Sequence, residues 1–420
     1  MFLSRFRQIY ALYRSYMAPS EFTTQVLKCE SATISFNTTS DEPTIASAET
    51  LDALKAAARH LVDEGQTVVF PTETVYGLGA LALDASCAAK IFSTKGRPAD
   101  NPLIVHVSSF SMLNSLLPPN YDVPKSYKIL MKHFWPGALT LLFPRNGDVI
   151  PTIITANQST VAIRMPSHPV ARALIAVANA PLAAPSANTS GKPSPTKAEH
   201  VFRDLNGKVP LILDGGACGV GLESTVVDGL HEDGNIRVLR PGGITVEDLE
   251  RVLREDMHDV GNIPKVLVHK RDYADEKMER APTTPGMKYR HYSPSVPVTL
   301  LLTMPSLSGS QATQPFTELL KTLKKESGEQ PMKIGVLAAT DSKLWETLDA
   351  VHGVDWTRFP LGLTEDPGTI AQRLFDGLLS LEEDGVQMMF IEEVEETREG
   401  LAIMNRVRKA ASESIRVTID

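Results

Sequence analysis

The stretch Thr67–Gly79, TVVFPTETVYGLG, decides how this chain folds. Its first half is a run of β-branched and aromatic residues that reads as a buried strand. Thr72, Glu73 and Thr74 follow, then two nearby glycines, which sets small hydroxyls and backbone amides at a sheet edge where ligands commonly bind. The same string is equally readable as a glycine turn whose hydroxyls are satisfied locally.

Outward from that stretch, ETLDALKAAARHLVDEG at 49–65 repeats apolar residues at helical spacing and stops on Gly65. Short strand-like runs follow at 102–107, 138–143, 160–166, 210–216, 224–229 and 236–242, with a helical pattern at 168–180. This half is predicted to be α/β with a mixed or antiparallel sheet. From Val296 strands and helices alternate regularly, which predicts a small parallel-sheet, Rossmann-like domain at 296–420. That domain has neither G-x-G-x-x-G after its first strand nor a P-loop, so no chemistry is assigned to it. Residues 261–295, including TTPGMKYRHYSP at 283–294, read as an interdomain linker. Residues 1–48 read as a basic amphipathic presequence followed by a tether with room for one strand, the catalytic domain spanning 49–260.

A chain of 420 residues favours two domains, and 42% hydrophobic with 22% charged residues fits a globular protein. The formal charge of -8 excludes a global positive field for nucleic acid, so an anion site has to be built locally. Cys29, Cys87 and Cys218 lie far apart without a C-x-x-C pair, against both a disulfide framework and a zinc site. No apolar run reaches the roughly 20 residues a membrane helix needs.

Three polar strings carry candidate chemistry. In STKGRPADNPLIVHV, Lys95 and Arg97 stand two apart just before a strand bearing His106. A compact ammonium and a planar guanidinium suit a polyphosphate, although a lone K-x-R is also what a solvated turn looks like. PLAAPSANTSGKPSPT presents Ser186, Asn188, Ser190 and Gly191 before a helix expected near Thr196. Composition alone reads that string as a surface loop, and Arg164 and Ser224 are equally ambiguous in isolation.

The order of these strings resembles the YrdC-like family of threonylcarbamoyl-AMP synthases in its longer two-domain form. The K-x-R and S-x-N pairs, Lys95/Arg97 and Ser186/Asn188, match the family tetrad, and PTETVYGLG, NPLIVH, WPGALT, ESTVVD, RPGGIT and PGMKYRHYSP fall in the family's order. The resemblance implies synthesis of threonylcarbamoyl-AMP from L-threonine, bicarbonate and ATP with release of pyrophosphate, for threonylcarbamoyladenosine formation beside the tRNA anticodon. It implies threonine contacts at Thr74, His106, Arg164, Ser186 and Ser224. It implies ATP contacts at Lys95, Arg97, Asn101, Thr140, Asn188, Thr196, Arg240 and Tyr292.

In such a reaction a carbamate oxygen attacks the α-phosphate in line, so the protein positions two anions and needs no covalent nucleophile. Mg²⁺ is expected on the triphosphate, and no protein metal ligand is named. Lys288, Tyr289, Arg290, His291 and Tyr292 are expected to shield an unstable acyl phosphate from water. The product is expected to pass to a tRNA threonylcarbamoyl transferase complex, with a weak RNA contact, no membrane association, and a cytoplasmic location with mitochondria as the second destination. Competing function classes are an RNA-binding module and a non-catalytic docking role for the C-terminal domain. Replacing Lys95 or Arg97 with Ala is expected to abolish synthesis with little loss of stability.

Overall fold

The computed structural model describes residues 22–37, 41–257, 263–269, 271–273, 291–305, 313–327, 332–351 and 353–419. The presequence at 1–20 and the linker residues Lys288, Tyr289 and Arg290 lie outside the described residues.

The N-terminal half is built on one 11-stranded sheet. Across it run Gln25–Lys28, Leu211–Asp214, Val68–Pro71, Tyr76–Leu81, Leu182–Ala183, Ile104–His106, Thr160–Arg164, Leu139–Pro144, Thr225–Asp228, Ile236–Arg240 and Val266–Val268. Parallel and antiparallel pairs alternate without a fixed rule, the mixed sheet that the sequence predicts. The opening stretch forms two antiparallel neighbours, Val68 opposite Gly79 and Pro71 opposite Tyr76, so its polar string is the tip of a hairpin.

The helix Ala48–Val62 starts on Ser47, whose side chain accepts from the Thr50 amide, and buries Ala53, Leu54, Ala57 and Leu61. Together with Pro169–Ala178 it covers one sheet face over Val68, Phe70, Leu211 and Leu213. The other face is covered by a cluster that includes Ile91, Leu130, Val201 and Leu249.

The fold begins earlier than Glu49. Gln25–Lys28 pairs in parallel with Leu211–Asp214 at the sheet edge, and Ile34–Phe36 pairs antiparallel with Pro43–Ile45. Sequence reading allows one strand in this segment without locating it, because Gln25, Val26 and Lys28 are exposed and apolar alternation is lacking. Its place comes from a backbone ladder to residues about half the chain away and from the Thr24 hydroxyl donating to the Val209 carbonyl at 2.6 Å.

The C-terminal half carries a six-stranded, all-parallel sheet in the order Gln314–Pro315, Glu413–Thr418, Val298–Leu302, Met388–Glu392, Lys333–Ala338, Asp355–Pro360. Its core does not stop at the domain boundary. Val75 and Leu222 of the first half and Tyr292 of the linker pack in one cluster with Leu374, Phe375 and Leu378. Burying each such apolar side chain contributes roughly 1.5–3 kcal/mol, enough to hold the two halves together.

Candidate active site

A cleft opens where the tip of the first hairpin, the 185–196 loop and the linker meet. Its lining includes Thr74, Arg97, His106, Arg164, Ser186, Asn188, Ser224, Arg240 and Tyr292. The sequence named each of these, and folding brings them from strands, loops and linker to one place. Lys95, Asn101, Thr140 and Thr196 are buried but do not line it.

Lys95 departs furthest from the expected phosphate grip. It ends the helix Ala85–Lys95, which Asp84 caps by accepting from the Ser86 and Cys87 amides. Gly96 then takes the left-handed conformation, φ 61°, and reverses the chain. Arg97 is thereby delivered to the cleft while the Lys95 side chain points behind the 185–196 loop. The Lys95 ammonium donates to the Ser186 and Asn188 carbonyls, and the Lys95 carbonyl accepts from the Ser190 amide at 2.8 Å. Burial, and then the Arg97 charge, pull its pKa well below the ordinary lysine value. In this structure Lys95 fixes the backbone of the S-x-N loop.

Arg97 is braced through Nε to the Asn101 carbonyl at 3.1 Å and through Nη2 to the Pro102 carbonyl at 2.8 Å. Burial, and then the charge of Arg240, lower its pKa to about 9. Two buried guanidinium groups that repel each other across one cleft form a site for a polyanion. Arg240 donates through Nε and Nη2 to the Ser224 carbonyl at 3.2 and 2.9 Å, and the Ser224 hydroxyl pairs with Thr140 at 2.8 Å. Asn101 Oδ1, Asn188 Oδ1 and Thr196 Oγ1 are buried polar atoms without a hydrogen-bond partner. Such atoms are costly unless something fills them.

Arg164 holds the other wall. It donates to the Gly137 carbonyl at 3.1 Å, the Thr74 hydroxyl at 2.9 Å and the Glu73 carboxylate at 2.5 Å. The other Glu73 oxygen accepts from the Ser167 and His168 amides. Burial works to raise the Glu73 pKa, but the Arg164 guanidinium overcomes it and holds the carboxyl below its ordinary value. Of the five guanidinium N–H donors, these bonds take three, leaving two that suit a ligand carboxylate.

Sequence reading missed Glu223 and Arg406. Glu223 lines the cleft, accepts from Ser194 Oγ at 2.6 Å and pairs with Arg406 at 3.1 and 3.0 Å. Burial pushes its pKa up, yet Arg406 and then Arg240 bring it down to about 2. The only sequence signal was a carboxylate inside an otherwise uncharged string, GLEST.

His106 Nδ1–H donates to the Ile104 carbonyl at 3.2 Å, and burial, then the Arg164 charge, lower its pKa from 6.5 to about 3. It is neutral at physiological pH and serves as a dipole, not a charge. Between those two values the unfolded chain binds a proton at position 106 that the folded chain refuses, so stability falls as pH falls. His106→Asn should therefore show a shallower loss of denaturant midpoint from pH 6.5 down toward 3. Equal slopes in both proteins would mean that the imidazole titrates normally in the fold.

Residues 60–242 match the family described as "Telomere recombination", and residues 244–412 match "Threonylcarbamoyl-AMP synthase, C-terminal domain". A threonylcarbamoyl-AMP synthase of Schizosaccharomyces pombe is 45% identical over 87% of this chain and 89% of its own length. One from Bacillus subtilis is 42% identical over 86% of this chain and 94% of its own. The solved structure of P. abyssi Sua5 complexed with L-threonine superposes with a TM-score of 0.70 at 36% identity, covering 94% of this chain and 99% of that one. With matches that run through both halves and the linker, this chain belongs to the threonylcarbamoyl-AMP synthase family in its two-domain form.

Proposed function

We propose that this enzyme condenses L-threonine, bicarbonate and ATP into threonylcarbamoyl-AMP and releases pyrophosphate. The observation that carries the reading is one cleft lined by two sets of cations, Arg164 bonded to Thr74 and the mutually repelling pair Arg97 and Arg240. The P. abyssi relative crystallised with L-threonine supports placing the amino acid here.

On this reading Arg164 takes the threonine carboxylate, and Thr74, His106, Ser186 and Ser224 orient the amine and hydroxyl. The threonine amine and bicarbonate give a carbamate with loss of water, and a carbamate oxygen attacks the α-phosphate as the bond to pyrophosphate breaks. Arg97 and Arg240 stabilise the charge that moves onto the leaving group. Asn101, Thr140, Asn188 and Thr196 complete the nucleotide side, where three of them hold unmatched polar atoms that a nucleotide would meet.

Mg²⁺ would arrive on the triphosphate. Glu223 in the cleft and Glu73 beside it are committed to Arg406 and Arg164, and among the described residues no cluster of His, Cys, Asp and Glu is placed to cage a metal. The ion would offset phosphate charge, and the chain's own residues do the positioning. His291 and Tyr292 border the cleft and would keep water from the mixed anhydride. The adduct would then go to a tRNA threonylcarbamoyl transferase complex, with at most a weak RNA contact of its own, in cytoplasm or mitochondria.

Purified protein mixed with ATP, Mg²⁺ and bicarbonate should release pyrophosphate only when threonine is present, with an AMP adduct detectable by mass spectrometry. Pyrophosphate release that ignores threonine, or tight RNA binding without turnover, would exclude this reading.

A further inference from the structure

Arg406 belongs to the helix Gly400–Ala410 of the C-terminal domain and does not line the cleft. It is nevertheless completely buried, at 0% exposure, against the cleft's outer wall. Its Nε and Nη2 donate to one oxygen of Glu223 at 3.1 and 3.0 Å, its Nη1 donates to the Pro241 carbonyl, and its guanidinium sits 5.8 Å from the Tyr292 ring centre. Glu223 and Pro241 immediately flank Ser224 and Arg240, which bond to each other. One side chain from the second domain therefore pins both strands of the nucleotide wall.

The chemistry of that wall makes the pairing consequential. A triphosphate is the most anionic of the proposed substrates, and Glu223 is a carboxylate on the surface meant to receive it. Left without Arg406, that carboxylate would either repel the phosphates or draw Arg240 away from them. Glu73, by contrast, has its partner Arg164 within the first domain.

We propose that Arg406 is a positioning residue through which the C-terminal domain sets ATP affinity, by neutralising Glu223 and fixing the Ser224–Arg240 wall at a site it does not touch. This rests on the assignment of ATP to the Arg97–Arg240 side. The Arg164 anchor of the threonine side is held separately, donating to the Gly137 carbonyl, the Thr74 hydroxyl and the Glu73 carboxylate, so the effect on threonine is the smaller one and comes through Ser224.

The test is steady-state kinetics of full-length protein with ATP and threonine varied separately. Arg406→Met should raise the KM for ATP by about tenfold or more and the KM for threonine by a clearly smaller factor, about threefold at most, since of the threonine contacts only Ser224 sits on the wall it fixes. Arg406→Lys should fall between, since it restores charge without the fork. Arg406→Met combined with Glu223→Gln should recover most of the ATP affinity, because no uncompensated carboxylate remains. Equal KM shifts for both substrates, an unchanged KM for ATP, or a double variant as impaired as Arg406→Met would each overturn the proposal. If Arg406→Met does not fold, the double variant decides: a KM for ATP within about threefold of the parent supports the role, and a tenfold rise refutes it. Wild-type protein without threonine-dependent pyrophosphate release would instead defeat the functional reading itself.

Discussion

Arg164→Ala should lower kcat/KM for threonine by roughly two to three orders of magnitude while the KM for ATP stays close to that of the parent. The size follows from what is removed. Arg164 is buried, at 4% exposure, so the carboxylate it would receive is stripped of most of its water and depends on the guanidinium for compensation. Arg164→Lys should recover little, since one ammonium cannot serve Gly137, Thr74, Glu73 and a ligand carboxylate together. Stability should fall as well, by about 1–3 kcal/mol, because the partly buried Glu73 loses its cation and keeps only the Ser167 and His168 amides. Arg164→Ala joined to Glu73→Gln separates the two effects. It should regain much of the lost stability and none of the threonine affinity. Threonine kinetics restored by the double variant would show that Arg164 only holds Glu73.

What could be read from the sequence divides along physical lines. Signals carried by neighbouring residues were legible: the helix at 49–65, the strand before PTETVYGLG, and the β-α alternation after Val296 each depend on local periodicity. The site residues were legible as a set through family resemblance, and the cleft collects most of them. Partnerships across the chain were not. Glu73 finds its cation 91 residues away and Glu223 finds Arg406 183 residues away, and no local pattern encodes such pairs. The edge strand Gln25–Lys28 was weak for the same reason, being specified by a partner near residue 211 and not by its own composition. The K-x-R pair illustrates a subtler limit. Spacing placed Lys95 and Arg97 side by side, but across the left-handed turn at Gly96 Arg97 reaches the cleft lining while Lys95 is committed to the Ser186 and Asn188 carbonyls.

That divergence changes what Lys95→Met should do. A lysine gripping phosphate from a solvated turn would lose ATP affinity on substitution and leave the melting temperature alone. The lysine seen here is 2% exposed and donates to two loop carbonyls; Met would leave the Asn188 carbonyl buried without that partner, at about 1–3 kcal/mol, while the Ser186 carbonyl keeps the Asn188 amide. Thermal unfolding should therefore come several degrees earlier, on the order of 5–10 °C. Synthesis should drop by about a thousandfold or more, because the released backbone carries Ser186 on the threonine side and Asn188 on the nucleotide side. The KM values for threonine and ATP should rise together, unlike the unequal effects of Arg164→Ala and Arg406→Met. A variant that melts with the parent and loses only ATP affinity would return Lys95 to the phosphate. Loss on both sides with an earlier unfolding transition would establish it as the post that holds the S-x-N loop between the two substrates.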